Sequence, residues 1–129
     1  AAARIWRKRY GAGMRQVGIL AAAGLHALDH HVGRLADDHA RAARFAAAVA
    51  EAAPGVVDPG RVETNIVLLD VGAVGLTAPE VVAGLLEHGV RTYAMGRHVV
   101  RATWHLDVDD AGTGAAVDAA VSVLARARA

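Results

Sequence analysis

The segment TNIVLLDV at residues 64–71 decides the fold, because a clearly marked helix, TAPEVVAGLLEHG at residues 77–89, follows it closely. The first segment is β-branched and apolar on both faces, which predicts a central strand. Thr77 and Glu80 have the spacing of a capping box, and Pro79 stands in the first turn. Gly89 then ends the helix. Together the two segments predict a sheet that is covered by helices.

The same pattern continues on both sides of this pair. Towards the C-terminus, a short strand is predicted at 90–93, a turn at Met95 and Gly96, and a second strand at 98–105 with Arg101 near its middle. A last helix should begin after Asp109. Towards the N-terminus, helices are predicted at 1–10, 14–30 and 32–53. Three helices, then strand, helix, two strands and a helix indicate an α+β fold with a small sheet covered by helices.

The third helix is predicted to be amphipathic, with a charged outer face. On that face Arg34 is spaced to pair with Asp38, and Asp37 to pair with Arg41, four residues along. The opposite stripe should face the core, and it comprises Val32, Leu35, Ala36, His39, Ala43, Ala46 and Ala50.

The second helix has small residues where a core helix normally has large ones, as in GAGMRQVGILAAAGLHAL at residues 11–28. Each interior glycine costs about 1 kcal/mol relative to alanine. Close approach of a neighbouring backbone offsets that cost. The lining of Gly18, Ala21, Ala22 and Gly24 therefore predicts close helix packing.

Composition indicates one soluble globular domain, because 54% of the 129 residues are hydrophobic and 21% are charged. No apolar run approaches the ~20 residues of a membrane span, so a cytoplasmic location without membrane contact is expected. The absence of cysteine excludes disulfides. The opening AAARIWRKRY has neither an initiator Met nor a capping residue, which suggests a processed chain or a piece of a longer one.

Charge is distributed unevenly along the chain. Residues 1–16 hold five cations and no acid, whereas the remainder has nine Lys and Arg against thirteen Asp and Glu. A basic helix of this kind can bind nucleic acid, but no docking motif accompanies it, so a solvated face is favoured. The segment GAGMRQ at 11–16 could bind phosphate at a helix N-terminus. That interpretation is weakly supported, because no strand precedes the segment and it lacks a phosphate-binding glycine pattern.

The remaining candidates for chemistry are histidines and the single lysine. His26 and His30 are four residues apart, a spacing that zinc can use, but no motif supplies a third ligand. A structural role is therefore favoured for them, as it is for His39 on the apolar stripe, and no metal site is predicted. Lys8 alone could form a Schiff base, yet it lies on what the pattern indicates is an accessible helix.

Arg101 interrupts an apolar strand, VVRATW, and this makes it the most informative charged residue. Burying a guanidinium is costly unless a carboxylate or phosphate meets it. Three explanations fit the sequence: an internal ion pair, a solvated edge position, or a site for an anionic ligand.

Four segments, in order and spacing, resemble the C-terminal part of the low-specificity L-threonine aldolases. They are WRKRYGAGMRQVGILAAAGLHAL at 6–28, RLADDHARA at 34–42, VETNIVLLDV at 62–71 and VVRATWHLDV at 99–108. The resemblance implies a pyridoxal-phosphate enzyme with the aspartate aminotransferase type of fold (fold type I), usually a homotetramer. It further implies cleavage of L-threonine or allo-threonine to glycine and acetaldehyde.

The resemblance also implies roles for individual residues. Arg101 would bind the substrate α-carboxylate, and Lys8 and Arg15 would lie near the active site. Ala12 replaces a glycine of the family's usual GGGMRQ, and Trp104 stands where threonine is common.

The same resemblance implies that the Schiff-base lysine and most cofactor contacts precede the position of Ala1, in a missing large domain. Residues 1–53 would lead from that large domain, and 54–129 would form the small α/β domain. Alone, the chain is expected to bind no cofactor, to have no catalytic residue and to be inactive. The alternative is an orphan oligomerisation or binding module derived from this domain, without nucleic acid as a partner.

Overall fold

The computed structural model describes residues 2–126, which form two compact units that divide between Gly33 and Arg34. The first unit contains helices α1 (Ala2–Arg9) and α2 (Gly18–His30), and no residue of either helix is buried. The break predicted at residues 11–13 is confirmed, but α2 begins four residues later than predicted. No side chain caps its N-terminus at Val17. At the end of α1, the Ala12 N–H bonds back to the Arg7 carbonyl at 3.0 Å.

Within the first unit, the close packing predicted for α2 has no counterpart. A Cβ added at Gly18 or Gly24 would meet no heavy atom within 4 Å, apart from the local backbone of α2 itself.

The second unit carries the sheet and three helices. Its elements are α3 (Leu35–Ala52), β1 (Ile66–Asp70), α4 (Ala78–Glu87), β2 (Tyr93–Ala94), β3 (Val99–Thr103) and α5 (Asp110–Ala125), with short 3-10 turns at Pro59–Arg61 and Val71–Val74. Together with α1 and α2, this order confirms the α+β class.

The sheet is antiparallel, in the order β1-β3-β2. The prediction that residues 64–71 form a central strand is therefore wrong, since β1 is an edge strand and β3 is central. Along β1, Val67 and Leu69 are buried, whereas Ile66 and Leu68 are exposed. One apolar face of β1 therefore packs against the core, and the other apolar face is open. The strand predicted at 90–93 is likewise displaced, to β2.

The core lies on one side of the sheet, where α3, α4 and α5 cover it. Close helix approach occurs here at Gly84 of α4, where an added Cβ would lie 3.1 Å from the Val123 methyl groups of α5. The capping box of α4 is confirmed, because the Thr77 N–H donates to Glu80 at 2.8 Å. Gly89 ends α4 with φ 77°, and Asp109 caps α5.

The stripe predicted for α3 is only partly right. Ala46 is buried, but His39 and Ala43 are exposed, and the helix turns Ala42, Phe45 and Val49 inward instead. The large Phe45 and Val49 side chains contribute more apolar area to the core than the alanines of the predicted stripe, so they set the rotation of the helix.

Candidate functional site

Arg101 lies at the middle of β3, the central strand, and points to the face of the sheet that the helices leave open. The register places Leu68 of β1 on one side of it and Tyr93 of β2 on the other. Ile66 and Thr103 form the next pair on the same face. We call the set Ile66, Leu68, Tyr93, Arg101 and Thr103 the open sheet face.

The guanidinium of Arg101 is held against an aromatic ring. Its Cζ atom is 5.6 Å from the centroid of the Tyr93 ring, a cation–π distance. Among residues 2–126, ion pairs form at other arginines and none includes Arg101. Arg101 is exposed and central. Two of the three explanations suggested by the sequence therefore do not apply among the described residues: Arg101 forms no internal ion pair, and it does not lie on an edge strand. Its N–H donors are available to an anion.

Trp104 turns to the opposite face from Arg101. It is only 3% exposed, its ring centroid lies 5.0 Å from that of Phe45, and its Nε1–H donates to Thr113 Oγ1 at 3.0 Å. The Trp104 departure from the family pattern therefore leaves the open sheet face uncrowded. Ala12 is equally well accommodated, because no residue other than glycine has a positive φ among those described.

Lys8 and Arg15 belong to the first unit, whereas Arg101 belongs to the second. Lys8 is exposed in the last turn of α1 between Arg7 and Arg9, and Arg15 is exposed in the segment before α2. Arg9 lies over the Trp6 ring, with its Cζ 5.0 Å from the centroid. The basic start of the chain is thus a solvent-facing surface in this unit.

Three histidines at the C-terminal end of α2, His26, His30 and the capping residue His31, lie side by side. The ring centroids of His26 and His30 are 4.4 Å apart, and that of His31 is 5.4 Å from His26. Within residues 2–126, no group of three or more His, Cys, Asp or Glu side chains has a geometry suited to a metal ion.

A linked charge cluster joins the start of α3 to the start of α5. Asp38, 1% exposed, accepts from Arg34, and Arg41 lies 3.7 Å from it. Arg41 also pairs with Asp110 at 3.2 Å, and Arg44 joins the same carboxylate at 3.1 Å. The Arg34–Asp38 pair was predicted, but placing Asp38 on an outer face was wrong, as was pairing Arg41 with Asp37.

The cluster and the α4 cap shift three ionisation equilibria. The hydrogen bond from Arg41 lowers the pKa of Asp110, and the same bond raises the pKa of Arg41. The hydroxyl of Thr77 donates to Glu80 and lowers the pKa of its carboxyl group. Sequence spacing could reveal the local pairs, but not Arg41 with Asp110, which lie 69 residues apart.

A cleft of about 360 Å³ is lined by residues of α3, α4, β3 and α5 and by the segment 88–92, and Arg101 is not among its lining residues. Phe45, Leu85 and Trp104 form its nearly buried floor, and polar side chains stand among its walls and rim. The sequence alone did not reveal this cleft, because its lining comes from seven separate stretches between Phe45 and Ala116.

The described residues do not by themselves suit pyridoxal phosphate, which needs a lysine, a carboxylate for the ring nitrogen and a phosphate cradle. The single lysine, Lys8, is exposed among arginines. Asp29 is the one acid in residues 1–33. No catalytic step is therefore assigned to this chain. Within residues 2–126, no helix is both long and apolar enough to cross a membrane.

Comparison with known proteins identifies the class. The sequence profile of the beta-eliminating lyases matches residues 1–73, and the chain belongs to that family. It is 40% identical over 103 residues to the low specificity L-threonine aldolase of Escherichia coli strain K12, covering 80% of this chain and 29% of that protein. It is 35% identical over 109 residues to the probable low-specificity L-threonine aldolase 2 of Arabidopsis thaliana, covering 84% and 31%. The chain thus spans less than a third of these relatives' length.

Proposed function

We propose that this chain is the C-terminal domain of a threonine aldolase-like lyase. In the intact enzyme, a large domain would hold pyridoxal phosphate, and L-threonine or allo-threonine would be cleaved to glycine and acetaldehyde. This domain would contribute substrate recognition and assembly within a cytoplasmic homo-oligomer. The observation that carries the proposal is an arginine at the centre of the open sheet face that forms no ion pair among residues 2–126, in a chain similar to threonine aldolases.

Arg101 is the residue proposed to bind the substrate α-carboxylate. A guanidinium offers parallel N–H donors that match the two oxygens of a carboxylate. The Tyr93 ring restricts the guanidinium on one side, and Leu68 provides an apolar neighbour on the other. Such surroundings favour a fixed, partly desolvated ion pair once another domain covers the face.

Exposed apolar surface supports the presence of a missing partner. On the open sheet face, Ile66, Leu68 and Tyr93 are 41%, 51% and 62% exposed. The first unit also exposes large apolar residues along α1 and α2, including Ile5, Trp6, Ile19, Leu20, Leu25 and Leu28. Apolar surface of this extent is typical of interaction sites. We propose that it packs against the large domain and against a second subunit, with Lys8 and Arg15 near the active site.

The test is a chimera in which this chain replaces the matching segment of the Escherichia coli relative. We expect the chimera to release acetaldehyde from L-threonine. Arg101→Gln should lower kcat/KM about 100-fold, mainly through KM, because two charge-assisted hydrogen bonds are worth about 3 kcal/mol together. Arg101→Lys should be intermediate, since an ammonium cannot form the paired contact.

Arg97→Gln is the matched control, because Arg97 is an exposed arginine on the turn that leads into β3. A folded chimera that binds the cofactor but does not cleave threonine would contradict the proposed function and favour an orphan binding module. Equal kcat/KM in the Arg101 and Arg97 variants would contradict the role of Arg101 alone.

A further inference from the structure

The cleft of about 360 Å³ combines an apolar floor with a polar rim. Val90 and Val108 are partly exposed beside the nearly buried floor, and Ala115 of α5 is exposed along one side. Its volume of about 360 Å³ falls in the range of small-molecule sites, roughly 300–1,000 Å³. The cleft could therefore hold the apolar body of one small molecule.

The lining of the cleft includes one acid, Asp107, and one arginine, Arg91. His105 and Asp107 face each other, with Nδ1 3.6 Å from the carboxylate oxygen. Arg91 also lines the cleft, and it takes part in none of the ion pairs among residues 2–126. Arg91 is the one Lys or Arg side chain in the lining, and it has no carboxylate partner among the described residues, so its guanidinium is available to an anionic group of a ligand.

Thr92 adds an unused hydrogen-bonding group to the cleft wall. Its Oγ1 is buried without a partner, the one side-chain atom in that condition among residues 2–126. A buried polar atom left unpaired costs about 1–3 kcal/mol. Rotation of the Thr92 side chain to another staggered conformer breaks no hydrogen bond, and an acceptor in the cleft would then satisfy the hydroxyl.

We propose that this cleft is a binding site for a small carboxylate with an apolar body. The apolar part would lie over the floor at Trp104 and Phe45. The carboxylate would reach Arg91 and accept from the Thr92 hydroxyl. Arg101 does not line this cleft, so the carboxylate contact proposed here is separate from the one proposed at Arg101.

Binding can be measured on the 129-residue chain with Trp104 as the reporter. In a Trp6→Phe background, Trp104 is the one remaining tryptophan. We expect 3-phenylpropanoate to change its fluorescence saturably and to bind about tenfold more tightly than the neutral 3-phenylpropanamide. One hydrogen bond to a charged group is worth that factor.

Variants then locate the ligand. Arg91→Gln should weaken 3-phenylpropanoate about five- to tenfold, and Thr92→Val should weaken it about threefold or more. Ala115→Leu, at an exposed lining position, should abolish binding by filling the cleft. Arg97→Gln and Arg101→Gln should leave binding unchanged, and far-UV circular dichroism would verify that each variant is folded.

Three results would overturn the proposal. Absence of saturable binding would mean that the cleft is not a ligand site. Equal affinity for acid and amide, with no effect of Arg91→Gln, would refute selection of a carboxylate. Loss of binding in Arg101→Gln but not in Ala115→Leu would move the probe to the open sheet face. None of these outcomes bears on the threonine cleavage test.

Discussion

Replacing Thr113 by valine would remove the acceptor of the Trp104 indole N–H with little change of side-chain shape. In the structure Trp104 Nε1 donates to Thr113 Oγ1 at 3.0 Å in a fully buried setting. Thr113 Oγ1 donates in turn to the Asp109 carbonyl at 2.8 Å, but that carbonyl also accepts from the Thr113 N–H at 3.0 Å. The substitution therefore leaves one buried donor unpaired, the indole N–H.

An unpaired buried donor costs about 1–3 kcal/mol, so we expect Thr113→Val to lower the free energy of unfolding by about 2 kcal/mol. Thr113→Ser is the matched control, because it keeps the hydroxyl and loses one methyl group, worth about 1 kcal/mol. Urea denaturation followed by far-UV circular dichroism measures both.

A double-mutant cycle isolates the hydrogen bond from packing. Phenylalanine at position 104 has no N–H to leave unpaired, so Thr113→Val should cost about 1–2 kcal/mol less in a Trp104→Phe background. An equal cost of Thr113→Val in both backgrounds would refute the reasoning, since the loss would then arise from packing alone.

Three further substitutions test the framework, each by urea denaturation. Asp38→Asn should lower the free energy of unfolding by about 1–3 kcal/mol, because it removes the buried counter-charge of two arginines. Asp37→Asn should have no effect, and an equal loss of stability in the two variants would contradict the charge cluster. Gly89→Ala should cost about 1 kcal/mol at φ 77°, and a neutral result would refute the strain. Glu80→Ala should destabilise at pH 7, and the difference from the parent should vanish as pH falls through the lowered pKa of Glu80; a pH-independent difference would contradict the carboxylate cap.

The sign of the pH effect follows from linkage. Folding lowers the pKa of Glu80, so the folded state favours the ionised carboxyl group. The resulting stability is present above the unfolded pKa, about 4.3. It is lost as pH falls through the lower pKa of the folded state. Asp110, whose pKa is lowered by Arg41, acts in the same direction.

Local signals in the sequence predicted the elements whose ends are determined within a few residues. The capping box at Thr77 and Glu80, the glycine end at Gly89 and the helix start after Asp109 all have local causes, and all are confirmed. Strand order has no such local cause. The apolar run at 64–71 suggested coverage on both faces, but the structure leaves Ile66 and Leu68 open.

The candidate site was predictable only where its features have a local cause in the sequence. Arg101 stood out because a cation in an apolar strand requires an explanation, and the sequence placed it near the middle of its strand. Its neighbours Leu68 and Tyr93 come from other strands, and their register depends on tertiary pairing. The cleft and the Arg41–Asp110 pair also join distant segments, and periodicity carries no information about such contacts.

The central claim is that this chain works as one domain of a larger pyridoxal-phosphate lyase. The most direct measurement is the native mass, with visible absorbance recorded across the same peak, of the polypeptide that carries this sequence in its source cells. The account predicts a polypeptide much heavier than 13.3 kDa, in an oligomer with the yellow absorbance of enzyme-bound pyridoxal phosphate. A colourless polypeptide of 13.3 kDa would contradict it.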